Sequence, residues 1–116
     1  MVAVTTDKVA KYREVAQQAV REYAALGAAR AQIKSEVIID PVTDHYQVMA
    51  IGWQGARRVH SVVIHLEIIA GKIWIQHDST DWCVADALLE AGVPQADIVL
   101  AFQPEDVRAD TGFAVA

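Results

Sequence analysis

The side chains best suited to chemistry in this chain are its histidines and one neighbouring glutamate. His65 and Glu67 stand two positions apart in a strand-like segment, so both are expected on one face of a sheet. His60, five positions from His65, is expected on the opposite face. A metal site would have to use His65, Glu67 and, across the sheet, Asp44. A hydrogen-bonded strand histidine is the more common arrangement, and we expect neither a metal nor another cofactor.

The face that carries His65 is predicted to combine aromatic, aliphatic and polar side chains. Its candidate binding residues are Tyr46, His65, Glu67, Trp74 and Gln76, and its other members are Val48, Val59, Val63 and Lys72. Such a face is too apolar to be left in open water. Either the second helix or the C-terminal segment covers it, which we favour, or it is a protein interface with tryptophan and tyrosine anchors.

Two adjacent arginines, Arg57 and Arg58, are the remaining candidate binding residues. At a loop tip they suit a phosphate or a carboxylate, although two arginines in a turn are more often only solvated. Neither the glycine-rich dinucleotide pattern nor the P-loop spacing occurs in the chain. Nucleotide binding therefore has no support from sequence motifs.

The sequence contains no recognisable nucleophile motif. Cys83 is the single cysteine, which excludes intramolecular disulfides and zinc sites built on paired cysteines. It has no identifiable base, and we expect a buried, inert helix residue. Zincin and Gly-x-Ser-x-Gly motifs are also absent. We predict no catalytic residues and no enzyme activity. The alternative is a small ligand-binding or hydrolytic domain that uses His65, Glu67 and Tyr46.

Charge and length limit the classes of function further. The 116 residues fit a single domain, and the net charge of -5 has the wrong sign for holding nucleic-acid backbones. The acidity is concentrated after Lys72, where Arg108 is the only basic residue. This acidic surface suits a basic partner, although a solvated face is the simpler interpretation. With no signal peptide or long apolar run recognisable, we expect a cytoplasmic protein without membrane association.

The elements that must position these residues begin with an amphipathic helix over residues 7–26. Its apolar stripe recurs every three or four positions and consists of Val9, Tyr12, Ala16, Ala19, Tyr23 and Leu26. Thr5 or Thr6 is expected to cap its start, and Gly27 to terminate it. Such a helix needs a sheet to cover.

Four apolar, β-branched runs predict that sheet, at 36–39, 45–53, 59–69 and 72–77. Turns at 40–44, 54–57 and 70–71 indicate an antiparallel meander. A two-residue turn at 70–71 pairs Ile68 with Ile73 and His65 with Gln76, and a four-residue loop at 54–57 pairs Gln47 with Ile64 and Tyr46 with His65. The predicted core face then consists of Met49, Ile51, Val62, Ile64, Leu66, Ile68, Ile73 and Ile75.

A second helix is predicted at 81–91, ended by Gly92, Val93 and Pro94. A short strand at 97–102, one helical turn at 104–107 and an apolar tail follow. The fold class is α+β: an N-terminal helix, a four-strand antiparallel meander, a second helix and a short C-terminal strand.

Several motifs along nearly the whole chain closely resemble the XisI family, the cyanobacterial fdxN-element excision controlling factors. They are DHYQ at 44–47, GW at 52–53, RR at 57–58, GKIWIQ at 71–76, GVP at 92–94, DIVL at 97–100 and TGFAV at 111–115. Departures are local: Ala70 stands where the family often has aspartate, and Asp81-Trp82 replaces a more usual glutamate and small residue. The resemblance implies that residues 1–116 form a single XisI-like domain.

This resemblance implies an accessory role in the programmed excision of a DNA element during heterocyst differentiation, where a separate recombinase cuts the DNA. It implies contact with an XisH-like partner, and no catalytic residues carry over from the family. We therefore expect a non-catalytic protein that acts through contacts with an XisH-like protein, with itself, or with both, and that does not bind DNA alone.

Overall fold

Five strands form one sheet, and a long helix packs across it. The structure is a computed structural model that describes residues 2–26 and 32–116. Its elements are α1 (Val2–Leu26), β1 (Ile33–Asp40), β2 (His45–Gln54), β3 (Arg57–Ile69), β4 (Lys72–Asp78), α2 (Val84–Glu90), β5 (Ile98–Leu100) and α3 (Glu105–Arg108). The strands lie in sequence order, antiparallel from β1 to β4, with β5 parallel to β4. The α+β prediction and its meander are confirmed.

Both tight hairpins of the meander have two-residue turns. Ala70 and Gly71 adopt positive φ angles of 52° and 77°, and Ile68 pairs with Ile73 as predicted. This turn geometry matches the twist of the flanking strands. The second hairpin differs from the prediction because Gln54 pairs with Arg57. Its loop is therefore Gly55-Ala56 rather than four residues long.

Two irregularities in strand pairing change the predicted register. In β3, Val63 is an extra residue, because Val48 pairs with Ile64 while Met49 pairs with Val62. In β4, the extra residue is Gln76, because Leu66 pairs with Ile75 while His65 pairs with His77. A β-bulge of this kind shifts every pair beyond it by one residue. The predicted pairs Gln47 with Ile64, Tyr46 with His65 and His65 with Gln76 are therefore wrong.

The core lies between α1, α2 and one face of the sheet. Tyr46 and Val48 are fully buried there, whereas Met49, Ile51 and Val62 from the predicted core are only partly buried. The rest of the predicted sheet face is confirmed as buried: Ile64, Leu66, Ile68, Ile73 and Ile75. Helix α1 contributes Tyr12, Ala16, Ala19 and Val20 to this core. A stripe of small and aromatic residues at helical spacing thus meets a β-branched sheet.

The ends of α1 differ from the prediction. The helix begins at Val2, so Thr5 and Thr6 lie within it and do not cap it. No proline or glycine interrupts the N-terminal segment, and the helical conformation continues into it. Leu26, predicted for the buried stripe, is 63% exposed. Gly27 lies outside the described residues.

Helix α2 is shorter than predicted because the segment before it forms a turn around Asp78. The Asp78 carboxylate accepts hydrogen bonds from the Thr80 and Val84 backbone N–H groups, both at 2.8 Å. The second of these satisfies a free N–H group of the helix start. Cys83, predicted as a buried helix residue, is exposed and has a left-handed φ of 61°. The predicted helix end is confirmed, since Gly92 has a φ of 96° and the Val93 N–H donates to Leu88.

The C-terminal segment extends the sheet at β5. Ala114 forms a parallel bridge with Val99, and its N–H donates to the Ile98 carbonyl at 2.9 Å. Between them, α3 forms the single helical turn that was expected near this position. Within the described residues, no helix is both long and apolar enough to cross a membrane.

Charged contacts fasten α1 to the sheet at two aspartates. Arg13 donates to both carboxylate oxygens of Asp44, at 2.8 and 3.2 Å. Tyr12 donates its hydroxyl hydrogen to Asp97, and Lys8 lies 3.0 Å from the same carboxylate. Paired, hydrogen-bonded carboxylates of this kind stabilise the fold only while they are ionised.

Acid is expected to loosen this attachment. The Arg13 hydrogen bonds hold the pKa of Asp44 below its usual value, despite partial burial, which acts in the opposite direction. A carboxylate whose pKa is lower in the folded state than in the unfolded state stabilises the fold. This contribution is complete above the unfolded-state pKa of about 3.9, and it is lost as the pH falls through the folded-state pKa. The free energy of unfolding of Asp44→Asn should therefore fall less than that of the wild type between about pH 5 and pH 2, as measured by urea titration.

Exposed Asp86 offers the comparison, because Asp86→Asn removes the same charge without breaking such a contact. Equal pH profiles for Asp44→Asn and wild type would mean that the Arg13 contact does not contribute to stability.

Candidate functional site

The sheet has a second face, opposite the core, which gathers four of the sequence-predicted candidates: His65, Glu67, Trp74 and Gln76. Strand pairing places His45 opposite Glu67, and Glu67 opposite Trp74. Directly paired residues project from the same face of a sheet. His65 stands two residues before Glu67 in β3. Gln76, in β4, donates a hydrogen bond to Glu67. We call His45, His65, Glu67, Trp74 and Gln76 the His–Glu face.

A polar cluster occupies the middle of the His–Glu face. The Nδ1 atom of His45 lies 2.9 Å from Nε2 of His65, and the two imidazole rings are tilted by 36°. His45 Nε2 lies 3.5 Å from Oε2 of Glu67. The Gln76 amide donates to the other Glu67 oxygen, Oε1, at 3.2 Å. Four side chains from three strands thus form one connected network.

The protonation of His65 is biased by this setting. Burial lowers the pKa of its imidazole, and the charges of His45 and His77 lower it further, while Glu67 raises it. An unperturbed histidine has a pKa of about 6.5. The uncharged form of the His65 ring is therefore favoured at neutral pH.

His45 is the cluster residue that sequence reasoning assigned only to a strand end. The bulge at Val63 places it, rather than Asp44, opposite Glu67. Asp44 is instead bonded to Arg13 and to the Tyr46 hydroxyl. The predicted ligand set of His65, Glu67 and Asp44 is therefore not assembled. The spacing of residues along β2 could not have revealed that His45 faces Glu67, because the extra residue that shifts the pairing, Val63, lies in β3.

Tyr46 does not belong to the His–Glu face. It pairs with Leu66, and its ring is fully buried in the core, with its hydroxyl donating to Asp44 at 3.0 Å. Burial and this hydrogen bond raise the pKa of the phenol to about 12. The alternative prediction of a hydrolytic or ligand-binding group of His65, Glu67 and Tyr46 is therefore wrong. Tyr46 lies on the core face of the sheet, whereas His65 and Glu67 lie on the opposite face.

Trp74 is half-buried, and part of the C-terminal segment lies over it. The Arg108 guanidinium stands 5.7 Å from the centre of the Trp74 ring, within cation–π range. Arg108 is held there by hydrogen bonds to the carbonyls of Ala101, Gln103 and Val115. The sequence favours a second face covered by the second helix or the C-terminal segment. Only the end of the face at Trp74 is covered in this way, by the C-terminal segment. Helix α2 packs with α1 on the core side.

Apolar side chains flank the remaining part of the face. Ile38 pairs with Gln47, which pairs with His65, and it is 44% exposed. Ile69 follows Glu67 by two residues in the same strand and is 37% exposed. Together with Trp74, these two isoleucines give the His–Glu face apolar surface beside its polar cluster.

Arg57 and Arg58 lie far from this surface, at the β2–β3 hairpin. Arg58 is nine residues from Glu67 along β3, which corresponds to about 30 Å in an extended strand. Its guanidinium stacks over Trp53 at 5.4 Å and donates to the Gly52 carbonyl. The two arginines are therefore not part of the same site as His65 and Glu67.

Several clefts lie elsewhere in the described part of the chain, and two of them are the larger. One, of about 330 Å³, runs between α1 and α2 and is lined by Glu14, Gln18 and Ala87 among others. The other, of about 290 Å³, includes Asp78, Cys83 and Phe113. Neither includes a residue of the His–Glu face.

Comparisons with known proteins give consistent matches. The family described as XisI protein matches residues 6–115. A crystal structure of a XisI-like protein from Anabaena variabilis is 38% identical, with a TM-score of 0.86, over 93% of this chain and 99% of the other. The fdxN element excision controlling factor XisI from the same organism is 37% identical, with a TM-score of 0.82, over 94% and 99%. No curated protein matches the sequence.

Proposed function

This chain belongs to the XisI family, and from that premise we propose that it is a non-catalytic accessory factor that controls the excision of a DNA element. The observation that carries the proposal is its similarity, over 94% of its length, to a protein identified as an fdxN element excision controlling factor. Sequence identity of 37% with the same fold supports a shared role.

We further propose that the protein acts through protein contacts made by the His–Glu face. This surface lies opposite both packed helices. It carries the half-buried Trp74 with exposed Ile69 near it, and exposed Ile38 on the far strand β1. Aromatic and aliphatic anchors within a polar surround are the usual composition of an interface core. The partner in this proposal is an XisH-like protein, and a second copy of this chain is a further candidate.

Trp74→Ala is the direct test of this surface. We expect it to weaken binding to an XisH-like partner by about 2 kcal/mol, which is roughly a 30-fold rise in Kd. The loss follows from removing the largest apolar anchor of the face. Sedimentation velocity and pull-down would measure association of the partner and of the chain with itself, while circular dichroism follows the fold.

Trp53→Ala is the matched control, since Trp53 is 51% exposed on the distant β2–β3 hairpin. Equal binding by wild type and Trp74→Ala, with both folded, would contradict the proposed surface. The acidic C-terminal region would then be the better candidate for docking.

The isolated chain is expected not to bind duplex DNA appreciably at physiological salt. Its net charge is -5, and Arg57-Arg58, the only adjacent basic pair, is partly engaged with Trp53 and Gly52. Binding of DNA by bulk electrostatics requires a basic surface. Fluorescence anisotropy with labelled duplex checks this, and submicromolar, salt-sensitive binding would make the protein a direct DNA reader.

A further inference from the structure

Three side chains of the His–Glu face carry the donor atoms that transition metals prefer. One nitrogen from each of His45 and His65 and one oxygen of Glu67 all lie within 4.8 Å of one another. The geometry points to a binding site for a single divalent transition-metal ion of the zinc type, ligated by His45, His65 and Glu67. This inference concerns the chain's own residues and does not rest on the proposed role in excision.

The spacing of the donor atoms suits one ion. Zinc binds histidine nitrogen and carboxylate oxygen at about 2.0–2.2 Å, so neighbouring ligands of a tetrahedral site lie about 3.3 Å apart. His45 Nδ1 lies 2.9 Å from His65 Nε2, and the other His45 nitrogen, Nε2, lies 3.5 Å from Glu67 Oε2. With one donor atom taken from each residue, all three lie within 4.8 Å of one another, a separation that a small side-chain movement closes.

His45 must move slightly to hold the ion. It contacts His65 through Nδ1 and Glu67 through Nε2, whereas a single ion needs one nitrogen directed at both neighbours. The terminal torsion of histidine is broad, so turning the ring achieves this without altering the strands. The backbone positions of all three residues are already set by pairing between β2 and β3.

Gln76 supports the site from outside the ligand set. Its amide holds Oε1 of Glu67, which leaves Oε2 directed toward His45. Hydrogen bonds to metal-ligating carboxylates commonly orient them in this way. The side chains of His45 and Glu67 are 34% and 26% exposed, so an ion can enter from solvent.

The chemistry of the donors indicates which metals fit. Two imidazoles and one carboxylate favour zinc and related transition metals over Mg²⁺ and Ca²⁺, which prefer oxygen ligands. Three protein ligands leave a fourth position for water or for a donor group of a partner. His77, although paired with His65, is exposed and lies outside the set.

The test is metal titration of the untagged full chain. We expect Zn²⁺ to bind with one equivalent per chain in calorimetry, and Co²⁺ to give the visible absorption of a tetrahedral site. His65→Ala and Glu67→Gln should each weaken Zn²⁺ binding at least 10-fold. His60→Ala, which removes an exposed histidine from the same strand, should leave the affinity unchanged.

Two results would overturn the inference. One is the absence of stoichiometric Zn²⁺ and Co²⁺ binding by the folded wild-type chain. The other is equal affinity in wild type and Glu67→Gln, a nearly isosteric change that remains informative if His65→Ala fails to fold. Magnesium titrated in parallel should give no comparable binding, because Mg²⁺ prefers oxygen ligands.

Discussion

Ile64→Asp is expected to unfold the protein. Ile64 lies at the centre of β3, is fully buried, and pairs with Val48 across the sheet. Placing a carboxylate there without a partner costs several kcal/mol. Small domains have total stabilities of about 5–15 kcal/mol. Circular dichroism should therefore show that the variant is already unfolded at ambient temperature, with no cooperative transition on heating or on adding urea. Leu66→Asp, two residues along the same face, should behave alike.

Ile69→Asp is the matched control, because it makes the same substitution in the same strand on the opposite face. Ile69 is 37% exposed, so its aspartate remains hydrated and stability should change little. A cooperative transition near the wild-type midpoint in Ile64→Asp would mean that the two faces of the sheet are assigned the wrong way round.

Tyr46→Ala should be the second most damaging change. The Tyr46 ring is fully buried, and truncating a large buried aromatic residue to alanine costs about 3–5 kcal/mol. The change also deprives Asp44 of a hydrogen-bond donor. Tyr46→Phe keeps the ring and removes only that bond, so we expect a loss of about 1 kcal/mol. Urea titrations of both variants separate packing from hydrogen bonding.

His65→Ala provides the comparison across the sheet. His65 is partly exposed on the His–Glu face, so its truncation should affect stability far less than Tyr46→Ala. Similar losses for the two variants would indicate that Tyr46 and His65 share one environment, as the bulge-free register predicted. This pair of variants therefore tests the bulge itself.

The local elements of the fold could be predicted from sequence because they depend on neighbouring residues. The Ala70-Gly71 turn, the helix end at Gly92 and the alternation of Ile64, Leu66 and Ile68 each carry a short-range signal. These signals determined the α+β class, the meander and most of the buried face. They also paired Ile68 with Ile73, as the structure does.

The composition of the candidate site depended on pairing between strands that the sequence does not specify. Val63 stands in a run of apolar residues that suits a strand with or without a bulge. The extra residue changes which β2 side chain faces Glu67, so His45 enters the cluster while Tyr46 turns into the core. Arg108 reaches Trp74 only through the path of the C-terminal segment.

The sequence by itself therefore determined which segments form helices and strands and which residue types the site contains. Only the tertiary structure decided which of those residues meet. The physical reason is that propensity and periodicity are set over a few neighbouring residues, whereas register is set by the packing of whole strands. One unpaired residue moves Tyr46 to the core face and places His45 opposite Glu67, and local sequence preferences do not reveal this shift.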